Sequence, residues 1–295
     1  MSLRALLLDG ILRRVITHSD EAGSVEAAVQ HRRRDGAPEP ADIPAGVRKQ
    51  VRVEERQVQG RPVVTLRARA ANARRALVFL PGGGYAQPVS PSHWTAVARF
   101  VRRGGVDAVV PLYQVAPQGD AAAAHALVRS VLDEAITTYG PSNVHVMGDS
   151  AGGGLALGAV QRQPGGVRTL ILLSPWIDVE LTKPAIGALA DWDVILRADE
   201  LRAWGVVWAA GAATSDPEVS PVHGPMEGLP PVHIVTGGRD ILLPDALGLH
   251  RALTASGNLG SLSYAPDANH AIGLLGPATP EGARALRFVL RALRS

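Results

Sequence analysis

Residues 145–154 read HVMGDSAGGG. Ser150 stands among residues with almost no side chain: Gly148 lies two before it, and Ala151, Gly152, Gly153 and Gly154 follow. NVHVM (143–147) has the apolar character of a buried strand, and LALGAVQ (155–161) that of a helix. Ser150 is therefore expected at the turn between them. A serine on a sharp strand-to-helix turn has a strained backbone and an outward-facing hydroxyl, and small neighbours are needed to avoid clashes. The helix start also brings free N–H groups and the positive end of the dipole to the site. Residue type and surroundings together suit a nucleophile. A lone G-x-S-x-G arises by chance in a glycine-rich chain, and a small-residue turn can simply pack a helix on a sheet, so the partners of Ser150 decide the reading.

Outward from this stretch the chain alternates between short apolar runs and helical segments. ALVFL (76–80) ends in PGGGY, DAVVPLY follows at 107–113, TLILLSPW at 169–176, VHIVTGG at 232–238 and GSLSYAP at 260–266, with helical patterns between them. Such alternation predicts an α/β fold: a mostly parallel, roughly eight-stranded sheet flanked by helices. Residues 1–48 read as one or two helices with a Pro/Ala/Gly connector, APEPADIPAG (37–46), and residues 1–16 carry an apolar stripe at Leu3, Leu7, Ile11 and Val15. At about 179–225 a helical, Trp-containing insert interrupts the alternation. The expected organisation is an N-terminal helical cap segment over 1–48 and a catalytic domain over 49–295 that carries the insert.

Composition narrows the function classes. The 295 residues are 46% hydrophobic, enough for a sizeable core. A net charge of +3, with only Arg32–Arg33–Arg34 as a dense basic run, gives no nucleic-acid footprint. There is no cysteine, so disulfides, thiolate nucleophiles and Cys-based metal sites are excluded. No apolar run reaches the ~20 residues that span a bilayer, and Asp9 interrupts the N-terminal stripe where a secretory segment would be apolar. No P-loop, G-x-G-x-x-G or H-E-x-x-H occurs, and no cofactor or metal is expected. A cytoplasmic location is expected, with a small-molecule substrate as the partner and a homodimer left open as an assembly.

A serine nucleophile needs a base and an acid, each just after a strand. Of the four later histidines, His223 precedes a strand, His233 lies within one and His250 is mid-helix; only His270, in PDANHAIGLL, follows the last strand in a loop. For the acid, Asp240 sits directly after VHIVTGGR; Asp267 and Asp245 rank behind it, the first too near His270 in the chain, the second suited to flank a helix start. His270 would take the Ser150 proton and return it to the leaving group, while Asp240 fixes the imidazole tautomer. The oxyanion would be met by the N–H of Ala151 and by those of Gly82 and Gly83 in PGGGY.

With GGGY (82–85), GDSAGG (148–153), LSPWID (173–178), DPEVSP (216–221), LPPVHIVTGGRDIL (229–242), NHAIG (269–273) and YQVAP (113–117) in this order, the chain resembles the hormone-sensitive-lipase-like family of α/β-hydrolase fold esterases. The matches run from about residue 76 to the C-terminus. The resemblance implies a serine esterase with Ser150, Asp240 and His270 as triad, Gly82, Gly83 and Ala151 as oxyanion hole, and a cap built from the N-terminal helices and the insert. Three stretches depart from the family pattern. Pro81 stands where the family has histidine, Gln114-Val115 stand in its YRLAP motif, and Ala271-Ile272 stand where Gly-Phe is common.

In the insert, LRAWGVVW (201–208) aligns Leu201, Trp204, Val207 and Trp208 in one helical stripe. It either glues the insert to the domain or, with Tyr85, roofs the Ser150 pocket. A roofed pocket implies short- to medium-chain esters; lactone or amide cleavage by the same serine, and ligand binding without catalysis, are the alternatives.

Overall fold

The computed structural model describes residues 24–69, 73–163 and 165–295. The apolar stripe expected over residues 1–16 lies outside them. Eight strands form one sheet: β1 (Val51–Val58), β2 (Arg61–Ala68), β3 (Ala76–Leu80), β4 (Asp107–Pro111), β5 (Val144–Asp149), β6 (Thr169–Leu173), β7 (Val232–Gly237) and β8 (Ser261–Ala265). Their order is β1-β2-β4-β3-β5-β6-β7-β8. β1 pairs antiparallel with β2, and β2 with β4; every other pairing is parallel.

The central strands are buried along their whole length, which is why they read as largely apolar runs instead of alternating ones. The two-residue period still decides what they touch. Leu77 and Phe79 of β3 share a core with Phe100, Leu286 and Val289, while Val78 and Leu80 share the other with Leu127, Leu132 and Leu157. Helices thus cover both faces. The β1–β2 hairpin turns through Gln59 and Gly60, both at positive φ (50° and 72°), as a two-residue hairpin turn requires. Asp120 caps the helix Ala121–Tyr139 by accepting from the Ala123 N–H at 2.8 Å, and Thr279 caps Pro280–Ala292 through the Gly282 N–H at 3.0 Å.

The segment before the sheet forms a helix at Val25–Asp35 and a short turn of helix at Ala45–Arg48. The insert carries helices at Ala185–Leu189 and Ala198–Ala209. Its ends are laced together. Ser220 Oγ accepts from the Val179 N–H at 2.9 Å, and the Val222 N–H donates to the Ile177 carbonyl at 3.0 Å. The insert therefore leaves and rejoins the domain at one place, beyond the end of β6. It meets the N-terminal helix where the Arg32 guanidinium lies 4.6 Å from the Trp204 ring centroid. Among the described residues no helix is long and apolar enough to cross a membrane.

Candidate active site

Ser150 sits where the sequence places it, between the end of β5 and the helix Ala151–Gln161, with φ 53° and ψ −123°. A serine has no intrinsic reason to adopt this backbone, so its surroundings must hold it there. Its N–H donates to the Leu173 carbonyl at 2.9 Å, and its own carbonyl accepts from Gly153 and Trp176, each at 2.9 Å. The glycines make the turn possible by close approach. A Cβ on Gly148 would run into the Gly152 carbonyl, and one on Gly152 into the Leu80 carbonyl. Among the described residues seven non-glycine residues have positive φ, and four of them (Tyr85, Ser150, Ser174 and Ala271) lie on the loops gathered here. The Ser150 hydroxyl makes no capping bond to the helix it starts.

The loop Pro81–Tyr85 packs directly on the elbow, since a Cβ on Gly82 would stand 2.9 Å from Ser150 Cβ. One expectation needs correcting here. The Gly82 N–H points at Asp149 and donates to its Oδ1 at 3.1 Å, so it is not free for a substrate oxygen. The neighbouring N–H groups of Gly83 and Gly84 donate to no described group, and neither does that of Ala151 at the helix start. The free donors are therefore displaced by one residue along the loop. Pro81, in the position of the family's histidine, costs the loop nothing that shows, because its carbonyl accepts from the Tyr113 hydroxyl at 2.6 Å. Support comes instead from His93. Its Nε2 bonds Asp149 Oδ2 at 3.2 Å, while its Nδ1 accepts from the Ser90 N–H at 3.0 Å. No sequence motif marked His93; Asp149 was at least adjacent to Ser150.

Of the three ranked carboxylates, Asp240 is the one that meets His270. His270 Nδ1 lies 2.9 Å from Asp240 Oδ2, with both residues buried. Asp240 Oδ1 accepts from the Leu242 N–H at 2.9 Å, which fixes the carboxylate. Burial disfavours the charged imidazole, but Asp240, Asp193 and Asp149 together outweigh it and raise the His270 pKa above its ordinary value. The other two acids are elsewhere. Asp245 is buried in the helix Leu243–Ala255 and pairs with Lys183 at 3.0 Å, and Asp267 is on the loop ahead of His270. The base loop and the elbow meet across the end of β6. The Ala271 N–H reaches Ser174 Oγ at 3.3 Å, and Ser174 follows Leu173, whose carbonyl holds the Ser150 N–H.

The aromatic stripe is largely consumed by packing. Trp208 stacks on Tyr85 with ring centroids 4.2 Å apart and planes 3° from parallel, and the Trp176 ring lies 5.2 Å from that of Tyr85. All three are buried, as is Trp204 beneath Arg32. Leu201 of that stripe lies beside the glycines, 3.6 Å from where a Cβ on Gly84 would stand.

A family profile described as alpha/beta hydrolase fold matches residues 77–274. The chain is 32% identical over 206 residues to a triacylglycerol lipase of Mycobacterium tuberculosis, an alignment that takes in 68% of this chain and 43% of that protein. It is 29% identical over 232 residues to an acetyl-hydrolase of Streptomyces hygroscopicus, covering 75% of this chain and 76% of the relative. In three dimensions it resembles the crystal structure of an esterase from the bacterial hormone-sensitive lipase family, with a TM-score of 0.83 at 24% identity over 100% of this chain and 98% of the other.

Proposed function

We propose that this chain, which belongs to the alpha/beta hydrolase fold family, is a serine-dependent carboxylesterase of the hormone-sensitive-lipase-like branch, acting through an acyl-enzyme. The observation that carries this is the His270–Asp240 hydrogen bond of 2.9 Å between buried partners. With Nδ1–H donated to Asp240, the imidazole lone pair is on Nε2, the form a general base needs. Ser150 Oγ attacks the ester carbonyl carbon as its proton passes to His270 Nε2. The tetrahedral oxyanion is met by the free N–H groups of Gly83, Gly84 and Ala151. Collapse breaks the bond to the alcohol oxygen, which takes the proton from His270. Water, deprotonated by the same nitrogen, then attacks the acyl carbon; the bond to Ser150 Oγ breaks as Oγ takes the proton back from His270, and the acid leaves.

The insert and the N-terminal helix act as the cap. The tight packing of Tyr85, Trp176 and Trp208, with Leu201 beside the glycine loop, favours a small acyl group, and the acetyl-hydrolase among the relatives points the same way. The substrates proposed are short- to medium-chain carboxylic esters. The test is turnover of p-nitrophenyl esters by the parent chain and by Ser150→Ala and His270→Ala. Each variant should lose at least roughly four orders of magnitude in kcat, and the double variant little more, since the residues act as a unit. Parental turnover in Ser150→Ala would end the reading.

A further inference from the structure

Asp193 belongs to the insert, yet it bonds the loop that carries Asp240. It is buried. Its Oδ1 accepts from the Ile195 and Leu196 N–H groups, each at 2.9 Å, which ties off its own turn. Its Oδ2 accepts from the Ile241 N–H at 2.9 Å, the residue directly after Asp240. The next amide, Leu242, is held by Asp240 itself at 2.9 Å. Two successive amides of one loop are thus shared between two carboxylates, one from the domain and one from the insert. Buried carboxylates side by side repel, and such an arrangement persists only with compensation. The four N–H bonds supply part of it, and the imidazole of His270 is the cation-forming group beside them.

We propose that Asp193 is a positioning residue for the catalytic acid–base pair: it fixes the Asp240 loop and lends the charged form of His270 a second carboxylate from the insert. This rests on the serine-esterase reading, and it makes the insert part of the catalytic electrostatics as well as a cover. The groups facing His270 are Asp240 on the loop after β7, Asp193 on the insert and Asp149 at the end of β5, with His93 behind Asp149. Asp267 and Arg239 are on the same two loops and are part exposed. The electrostatics agree in direction. Burial, then the Asp240 charge, push the Asp193 carboxyl up, while His270 and the Ile241 and Leu196 amides pull it back.

The experiment reads the protonation midpoint of His270 directly, from its downfield Nδ1–H proton resonance in the Ser150→Ala background, and the acid limb of kcat/KM for phenyl acetate in the active chain. Asp193→Asn should lower both by the same amount, because the second negative charge is gone. Asp193→Ala should cost roughly ten- to a hundredfold in kcat/KM, because it leaves the Ile195, Leu196 and Ile241 amides all without their acceptor, whereas the single oxygen of Asn can still serve one side. A folded Asp193→Asn with an unchanged His270 midpoint would overturn the proposal. Should Asp193→Asn not fold, Asp193→Glu keeps the charge but displaces the Ile241 bond: the midpoint should stay near the parental value while kcat falls. A midpoint that drops with the charge retained would equally overturn the proposal. The serine reading fails separately, if Ser150→Ala turns over phenyl acetate at the parental rate, and the resonance would still report on Asp193.

Discussion

The two halves of the site are held by different physics. The nucleophile half is a matter of space: Ser150 is fixed at φ 53° by backbone bonds to Leu173 and Trp176, and glycines at 148 and 152 let three backbone segments approach where no Cβ would fit. The acid–base half is a matter of charge: His270, Asp240 and Asp193 are on loops after β7 and β8 and on the insert, and side-chain carboxylates bind them to one another and to loop amides. The first half should therefore be broken by added volume and be indifferent to pH. The second should tolerate volume changes nearby and respond to charge. Between them stands Asp149, which serves the first half through Gly82 and touches the second through its field on His270.

The sharpest way to break the spatial half is one methyl group. Gly148→Ala should lower stability by at least about 3 kcal/mol, since its Cβ would overlap the Gly152 carbonyl and backbone cannot move aside as a side chain can. Urea unfolding measures it. A midpoint within experimental error of the parent would mean that the elbow relaxes and that spatial packing does not hold it.

His93 tests whether the halves are separable. Removing it as His93→Ala unties Asp149, and with it the Gly82 N–H, while leaving Asp240, Asp193 and His270 untouched. The expected result is a fall in kcat of about tenfold to a hundredfold, as for a misaligned oxyanion donor, with KM nearly constant. His93→Gln, which can still donate to Asp149, should recover most of the loss. Because Asp149 contributes to the field on His270, a large shift of the acid limb in His93→Ala would show that the halves are electrically one unit.

The same distinction explains what could be read in the chain. Spatial constraints leave marks in the residue types themselves. Small residues crowd around Ser150, and β3, β5 and β6 are mostly apolar, so both are legible in the residue types. The order of strands and the places of Asp240 and His270 after β7 and β8 follow from the same runs. The supporting charges leave no such mark. Asp193 and His93 are ordinary polar residues 47 and 177 positions from Asp240 and His270, on an insert and a helix face whose direction no periodicity reveals. The shift of free donors from Gly82 to Gly83 and Gly84 was equally hidden, because it depends on which way one peptide plane turns toward Asp149. The tryptophan stripe was visible as apolar spacing, but the spacing could not say that Trp204 meets Arg32 and Trp208 meets Tyr85.

That stripe supplies the smallest and most local contrast. If space rules the nucleophile half, enlarging it beside the glycine loop should change which acyl groups fit, whereas enlarging it one turn away should not. Leu201 is close to Gly84, but Trp204 spends its face on the guanidinium of Arg32 and so joins the insert to the N-terminal helix. Leu201→Ala should therefore favour longer p-nitrophenyl esters relative to acetate, by roughly tenfold in the ratio of kcat/KM values, the scale that a methylene or two commands in an apolar pocket. Trp204→Ala should leave that ratio near parental and act on stability, by about 3 kcal/mol or more for an emptied aromatic site. A rate series over acyl lengths from two to ten carbons and a urea titration, run on both variants, separate the two roles. If Trp204→Ala shifts the acyl profile and Leu201→Ala does not, the acyl group lies against the N-terminal helix, and the wall assigned here to Leu201 belongs to the Arg32–Trp204 contact.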